Sequence, residues 1–80
     1  MKSIRVQYFA LFREKAGVEE QTLSSLSQTL RELYSEVSKL NGFDLPVEMI
    51  QVAVNDEFSK MDQPLRDGDR IVFIPPVAGG

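Results

Sequence analysis

Residues 67–80 read DGDRIVFIPPVAGG, and this stretch decides the fold because it combines a turn, a strand and a stop. Asp67-Gly68 is a turn signal. Ile71 to Ile74 form a short β-branched and aromatic run, which is typical of a buried or half-buried strand. Pro75 and Pro76 cannot donate hydrogen bonds to a sheet, so we expect the strand to end there.

The residues after that strand predict an extended, flexible C-terminal tail over residues 75–80. The tail comprises Pro75, Pro76, Val77, Ala78, Gly79 and Gly80. The four residues after the prolines reach about 13 Å when extended. Glycine has no Cβ and lets the backbone approach other atoms closely. Such a tail can thread a narrow channel and place the α-carboxyl of Gly80 in another protein's active site. The alternative is a frayed end that happens to be glycine.

Two strands and a helical turn are predicted in the first part of the chain. Residues 3–10 alternate in a strand pattern, with Phe9 on the outer face. Residues 11–17 suit a short helical turn that is closed by Gly17. Residues 19–23 favour a weak second strand, antiparallel to the first.

One clear amphipathic helix follows. Its apolar residues recur at helical spacing, and they are Leu30, Leu33, Tyr34, Val37 and Leu40. Thr29 and Glu32 fit a capping box at the start, and Asn41-Gly42 supplies a stop. Such a stripe could bind a partner, but packing against a core is the preferred interpretation.

The remaining segments predict further short strands. Residues 43–48 read as a loop that contains Pro46. Residues 50–54 alternate as a strand, Asn55-Asp56 opens a tight turn, and residues 57–60 favour a short edge strand.

Together these elements predict one α+β domain over residues 1–80. One helix can cover one face of a small sheet, so we expect a mixed sheet of four to five strands with one main helix packed on one face. The connections resemble the β-grasp, or ubiquitin-like, fold. In that fold the first and last strands lie side by side and parallel at the centre of the sheet.

The strand pattern also predicts an apolar patch on the face of the sheet that the helix leaves open. Phe9, Val72 and Ile74 fall on this face, and Phe58 on the neighbouring short strand joins them. Large apolar side chains that cluster near the base of the tail suggest a protein interface. The alternative is scattered exposed apolar residues, which are common. Three arginines are predicted to form a polar rim around this patch: Arg5, Arg13 and Arg70. The alternative is that each of them is simply solvated.

Composition excludes several classes of function. The 80 residues are 42% hydrophobic and 26% charged, with a net charge of −3. The absence of a basic cluster argues against nucleic acid and anionic membranes, and no run approaches the roughly 20 apolar residues of a membrane span. A cytoplasmic location is the expectation.

The chain contains no cysteine and no histidine. It therefore has no thiolate nucleophile, no disulfide, and neither the usual neutral-pH base nor the commonest metal ligand. We expect no metal site and no bound cofactor, and we expect that the chain is not catalytic alone.

Three segments together resemble the MoaD family, the small sulfur-carrying subunit of molybdopterin synthase. They are YFALFREKAG at 8–17, PLRDGD at 64–69 and FIPPVAGG at 73–80. The resemblance covers essentially the whole chain. A terminal Gly-Gly alone is weaker, because ubiquitin-like modifiers and the thiamine-pathway sulfur carrier share it.

The resemblance implies a chemistry for the terminus. An adenylating, E1-like activating enzyme would use ATP and Mg²⁺ to adenylate Gly80, and persulfide sulfur would convert the adenylate to a thiocarboxylate. The tail would then enter the large subunit of a heterotetrameric molybdopterin synthase and give sulfur to cyclic pyranopterin monophosphate. Two rounds would build the dithiolene that later binds molybdenum or tungsten.

The resemblance also implies roles for other residues. Gly79, Ala78 and Val77 would give the narrow reach, and the prolines would fix where the tail leaves the sheet. Phe9, Phe58 and Ile74, with Val72 beside them, would contact the activating enzyme and the large subunit in turn. Arg13 lies in the family's Arg-Glu segment and would help that docking.

Three other functions stay open at this point. The chain could be a sulfur carrier for another pathway, such as thiamine thiazole synthesis. It could be a ubiquitin-like modifier whose terminus is joined to lysines of target proteins. It could also be a β-grasp binding module without terminal chemistry.

Overall fold

The structure, a computed structural model, describes residues 1–76. Its strands are β1 (Lys2–Tyr8), β2 (Glu20–Ser25), β3 (Gln51–Val54), β4 (Glu57–Ser59) and β5 (Arg70–Ile74). Its α-helices are α1 (Ala10–Ala16) and α2 (Leu30–Asn41), and a 3₁₀ helix spans Val47–Met49. The five strands form one sheet in the order β2-β1-β5-β3-β4.

The sheet is mixed, as the sequence predicts. β1 pairs with β5 in parallel, and β1–β2, β3–β5 and β3–β4 pair in antiparallel fashion. The first and last strands therefore lie side by side inside the sheet, and β4 forms an edge. The fold class is confirmed as a ubiquitin-like β-grasp.

The residue alternation along the strands decides which face the helix covers. Ile4, Val6 and Tyr8 on β1 are buried, and so are Ile71 and Phe73 on β5. Successive side chains of a strand point to opposite faces, so Val72 and Ile74 point to the open face. Both are half-buried there.

The cap of α2 matches the prediction in one of its two hydrogen bonds. The Thr29 hydroxyl oxygen accepts from the backbone N–H of Glu32 at 3.2 Å. The Glu32 carboxylate accepts from the N–H of Gln28 at 3.0 Å, so the reciprocal bond reaches one residue further back than a capping box requires. At the other end, Gly42 adopts φ 77° and closes the helix.

Thr29→Ala should lower the free energy of unfolding by about 1 kcal/mol, because an N–H of the first turn of α2 then loses its acceptor. Urea denaturation of the purified chain measures the change. Thr22→Ala is the control, since Thr22 is exposed on edge strand β2 and should change the free energy by less than about 0.5 kcal/mol. Equal losses in the two variants would contradict this account of the cap.

Leu40 was wrongly predicted to belong to the buried stripe of α2. It is 59% exposed, whereas the other four stripe residues are buried. Leu40 lies about 80° around the helix from Leu30, and it stands in the last turn, one residue before α2 ends at Asn41. Leu40 therefore lies at the rim of the stripe and points away from the sheet.

An aromatic cluster forms one end of the core. The rings of Phe12 and Phe43 lie 4.4 Å apart, and Tyr8 meets Phe43 edge to face at 5.5 Å.

Burial raises the pKa of Tyr8 to about 12, although a hydrogen bond from Asn41 acts in the opposite direction. Burial also raises the pKa of Tyr34, whose hydroxyl donates to the Leu45 carbonyl at 2.7 Å.

The turn before β5 is fixed to the start of β1. The Asp67 carboxylate accepts from the N–H of Ser3 at 2.6 Å, and the Gly68 N–H donates to the Ser3 carbonyl at 2.8 Å. The Asp69 carboxylate accepts from Asn55 and from the N–H of Arg66. The predicted Asp67-Gly68 turn is confirmed, and these bonds fix the position from which β5 begins.

Candidate functional site

The candidate site begins where β5 leaves the sheet. β5 ends at Ile74, Pro75 is buried, and Pro76 is exposed. The predicted stop at the two prolines is therefore confirmed. The tail residues to which the sequence assigns chemistry and reach, Val77, Ala78, Gly79 and Gly80, lie outside the described residues.

An apolar groove of about 760 Å³ opens beside the two prolines. Its lining combines the β1–α1 junction, the loop after α2 and the end of β5, and consists of Phe9, Ala10, Leu11, Glu14, Leu45, Ile74, Pro75 and Pro76. We call it the exit groove. The structure thus brings two predicted interface residues, Phe9 and Ile74, to the base of the tail.

Phe9 lines the groove, but it does not belong to the strand in which it was predicted. The sequence places it on the outer face of a strand over residues 3–10, but β1 ends at Tyr8 and Phe9 is the N-cap residue of α1. That strand boundary was wrong. The side chain is nevertheless 44% exposed, because the chain turns sharply at Ala10.

Ala10 has φ 49°, in the left-handed region that favours glycine. A non-glycine residue there costs on the order of 1 kcal/mol. The turn places Phe9 and Leu11 on the same groove, although residues two apart within a regular helix point in nearly opposite directions. The strained backbone therefore shapes one wall of the exit groove.

Val72 and Phe58 lie on the open face of the sheet in one row across the strands. Ala53 pairs with Val72 on one side and with Phe58 on the other. Phe58 is 75% exposed on edge strand β4. Val72 lies two residues before Ile74 on the same face of β5, so this row is continuous with the exit groove.

The arginines of the predicted rim all pair with carboxylates. Arg13 lies on α1 at 3.5 Å from Glu19 and does not line the exit groove. Arg5 pairs with Glu20 at 3.1 Å. Arg70 pairs with Asp56 and sits opposite Arg5 in the register of β1 and β5, on the open face.

Sequence reasoning missed four residues of the groove: Ala10, Leu11, Glu14 and Leu45. Leu45 lies in a loop without hydrophobic periodicity, so no local pattern could place it. Leu11 had a weak signal, because two adjacent apolar residues, Leu11 and Phe12, stand in one short helix. The structure buries Phe12 and leaves Leu11 exposed. Glu14 carried no signal of its own.

Within residues 1–76, no group of three or more His, Cys, Asp or Glu is placed to hold a metal ion. None of the helices in that range has the length and apolar character that a bilayer crossing needs. The described features that include the predicted interface residues are the exit groove and the adjoining row of Val72 and Phe58.

Comparison with known proteins identifies the family. The sequence matches the ThiS family over residues 6–80. The molybdopterin synthase sulfur carrier subunit of Chlamydomonas reinhardtii is 36% identical over 81 residues, and the match covers 96% of this chain and 98% of the relative. The subunit of the same name from Escherichia coli is 32% identical over 80 residues, with 96% and 99% covered.

Solved structures agree with the sequence relatives. Molybdopterin converting factor subunit 1 from Pyrococcus furiosus has a TM-score of 0.78 at 30% identity, over 96% of this chain and 100% of that chain. In the complex of subunits 1 and 2 of the Helicobacter pylori molybdopterin-converting factor, the matching chain has a TM-score of 0.66 at 28% identity, with 98% and 99% covered. Small archaeal modifier protein 1 from Haloferax volcanii shares the fold, with a TM-score of 0.82 at 18% identity over 96% of this chain and 100% of that chain. The chain therefore belongs to the ThiS family, in the MoaD group of ubiquitin-like β-grasp proteins that includes the molybdopterin synthase sulfur carrier subunits.

Proposed function

We propose that this chain is the sulfur carrier subunit of a molybdopterin synthase, with the carboxyl group of Gly80 as the sulfur-bearing group. The observation that carries the proposal is the full-length match to curated relatives of that name, at 36% and 32% identity. The match extends through the Pro-Pro-Val-Ala-Gly-Gly segment, since the family alignment runs to residue 80.

The first proposed step is activation of the carboxylate. A carboxylate is a poor electrophile, so the Gly80 oxygen attacks the α-phosphate of ATP on an activating enzyme and pyrophosphate leaves. The activating enzyme would hold Mg²⁺, which would supply neutralisation of the phosphate charges. The product is a mixed anhydride with AMP, whose carbonyl carbon can be attacked.

The second proposed step loads sulfur. The terminal sulfur of a persulfide attacks the carbonyl carbon and AMP leaves, which gives an acyl disulfide. A thiol then cleaves the S–S bond, so the thiol sulfur is oxidised to a disulfide and Gly80 keeps a thiocarboxylate. In the large subunit the thiocarboxylate sulfur attacks a carbon of cyclic pyranopterin monophosphate and an oxygen substituent leaves that carbon, which gives a thioester. Water then cleaves the acyl–sulfur bond, so the sulfur stays on the pterin and Gly80 regains its carboxylate.

The composition of the chain supports terminal chemistry. With no cysteine and no histidine in the sequence, the side chains supply neither a thiolate nor an imidazole. A modified main-chain carboxyl is then the group through which this chain can carry sulfur. Gly79 beside it leaves room for another protein's active site to close around the reacting carbon.

The exit groove and the open face support partner docking. Four residues follow Pro76, and they span at most about 13 Å. A protein that holds Gly80 in its active site must therefore bring its surface against the groove and the adjoining row of Val72 and Phe58. The subunit 1 and 2 complex from Helicobacter pylori supports a large subunit as one such partner. The activating enzyme is the other proposed partner.

Intact-mass spectrometry tests the proposed function. The chain is co-expressed with a candidate activating enzyme and a sulfurtransferase, and we expect a mass increase that equals replacement of one oxygen by sulfur. Tandem spectra should place the change on Gly80. The loaded chain and a large subunit should then convert the pterin precursor.

Other outcomes of the same experiment favour other functions. A loaded chain that supplies sulfur only to a thiazole synthase indicates a thiamine-pathway carrier. High-mass conjugates that disappear when Gly80 is deleted indicate a protein modifier. A terminus that stays unmodified with every activating enzyme contradicts terminal chemistry altogether.

Phe9→Lys should weaken binding to the large subunit by about tenfold or more and leave the fold intact, because an exposed aromatic anchor is replaced by a charge. Calorimetric titration measures the affinity, and circular dichroism measures the fold. Val18→Lys is the matched control, since Val18 is exposed to a similar extent but does not line the exit groove. Unfolding of the Phe9 variant would contradict its assignment to the surface.

A further inference from the structure

The exit groove has an unusual charge distribution. Eight of the described residues line it. Seven of them are apolar, and the eighth, Glu14, has an ionisable side chain. The neighbours of Glu14 on α1 already have partners, since Arg13 pairs with Glu19 and Lys15 lies 3.9 Å from Asp44. Glu14 itself makes no ion pair within residues 1–76.

The structure of the groove explains why an apolar wall stays exposed here. Leu11 is 39% exposed and Phe9 44%, both line the groove, and Ala10 between them has a left-handed backbone. Strain of this kind persists when the surrounding structure enforces it, and it clusters where a surface clamps a ligand. An exposed carboxylate beside such a wall matches a long cationic side chain, which has an aliphatic stem and a charged head.

We propose that the exit groove binds a lysine or arginine side chain of the large subunit. The stem packs on Phe9 and Leu11, and the head pairs with Glu14. The inference rests on the proposed function, because the length of the tail is what brings a partner surface against this groove. It adds the chemistry of the contact: the partner presents a basic residue beside its tail channel.

The two halves of the contact should affect different rate constants. A charge at the rim of an interface mainly steers association and makes it salt-dependent, whereas apolar packing mainly governs dissociation. Glu14→Lys should therefore lower the association rate about tenfold at low salt, and Glu14→Gln should flatten its salt dependence. Leu11→Ser should raise the dissociation rate about tenfold with little change in the association rate.

Surface plasmon resonance with immobilised large subunit, run from low to high salt, measures these constants. Matched controls come from a mostly polar groove at the opposite end of the sheet, which includes Leu26 and Glu32. Leu26→Ser and Glu32→Gln repeat the Leu11→Ser and Glu14→Gln changes there and should leave both rate constants near those of the unmodified chain, since the glutamine oxygen can still accept from the N–H of Gln28. Circular dichroism confirms that each variant is folded.

The outcomes separate this inference from the proposed function. If the unmodified chain binds the large subunit and the Glu14 and Leu11 variants bind equally well, the inference is wrong and the proposed function stands. If these variants instead impair only thiocarboxylate formation, the groove serves the activating enzyme and the inference is also wrong. If the unmodified chain neither binds the large subunit nor acquires sulfur, both are wrong.

Discussion

Deletion of Gly80 should reduce sulfur transfer by about a thousandfold or more, which is about 4 kcal/mol of lost transition-state stabilisation. The deletion leaves a carboxylate on Gly79 but withdraws it by about 3.5 Å. Reacting atoms must lie about 3–3.5 Å apart, and a displacement of about 1 Å can cost a hundredfold in rate. If the folded body docks as proposed, a tail of four residues has no slack with which to recover the distance.

Two measurements check this result. Intact mass after co-expression reports whether the shortened chain acquires sulfur, and product formation with purified large subunit reports transfer. Gly79→Ala is the control that keeps the length and adds one Cβ, so its loss should be smaller than that of the deletion. A deletion variant that still supports cofactor synthesis at a normal rate would contradict the assignment of the working group to Gly80.

Phe12→Ala should lower the free energy of unfolding by about 3–5 kcal/mol, because it removes a fully buried ring and leaves a cavity. Phe12 is 1% exposed and packs against Phe43 and Tyr34 at centroid distances of 4.4 and 5.9 Å. A domain of this size has a total stability of about 4–12 kcal/mol. The substitution therefore removes a large part of the free energy of unfolding, and the melting midpoint should fall by about 15 °C or more.

Phe58→Ala provides the matched control for Phe12→Ala. The chemical change is the same, but Phe58 is 75% exposed on the open face. Its loss should change the free energy of unfolding by less than about 0.5 kcal/mol, while binding to the large subunit weakens. Thermal and urea unfolding followed by circular dichroism measure both variants. Similar destabilisation by the two would show that the aromatic cluster is not the core of this domain.

Local sequence patterns predicted the elements well wherever the signal lies within a few residues. Helical spacing and the Thr29 hydroxyl located α2, glycine at Gly17 located the end of α1, and β-branched alternation located β5. These signals depend on backbone periodicity and capping, which neighbouring residues determine. Leu40 shows where such patterns fail. It fits the helical spacing of the apolar residues, but it lies in the last turn of α2 and is exposed.

Long-range packing accounts for what the sequence did not show. Phe43 lies in a segment that read as a loop, yet it is buried against Phe12 and Tyr8. Nothing near it in the sequence indicates these contacts, because they join three separate elements. The end of β1 was equally hidden, since a left-handed alanine has no sequence signature comparable to that of glycine.

The candidate site was predicted in part for the same reasons. Alternation along β5 correctly placed Val72 and Ile74 on one face, and the register places Phe58 in the same row as Val72. Phe9 reached the surface through a helix cap that alternation does not describe. The exit groove forms because the loop after α2 lies beside the end of β5. No local sequence pattern indicates this long-range contact. The roles of these residues in docking stay predictions.

The position of β5 has a consequence for synthesis of the chain. The ribosome makes β5 after every other strand, yet β5 lies between β1 and β3 and joins the two halves of the sheet. A nascent or prematurely terminated chain lacks this central strand, so the sheet stays split and the groove has no second wall. Pairing between segments from opposite ends of a chain is also slow to form. The sheet is therefore completed only once β5 has been made, and a chain that stops before β5 lacks one wall of the exit groove.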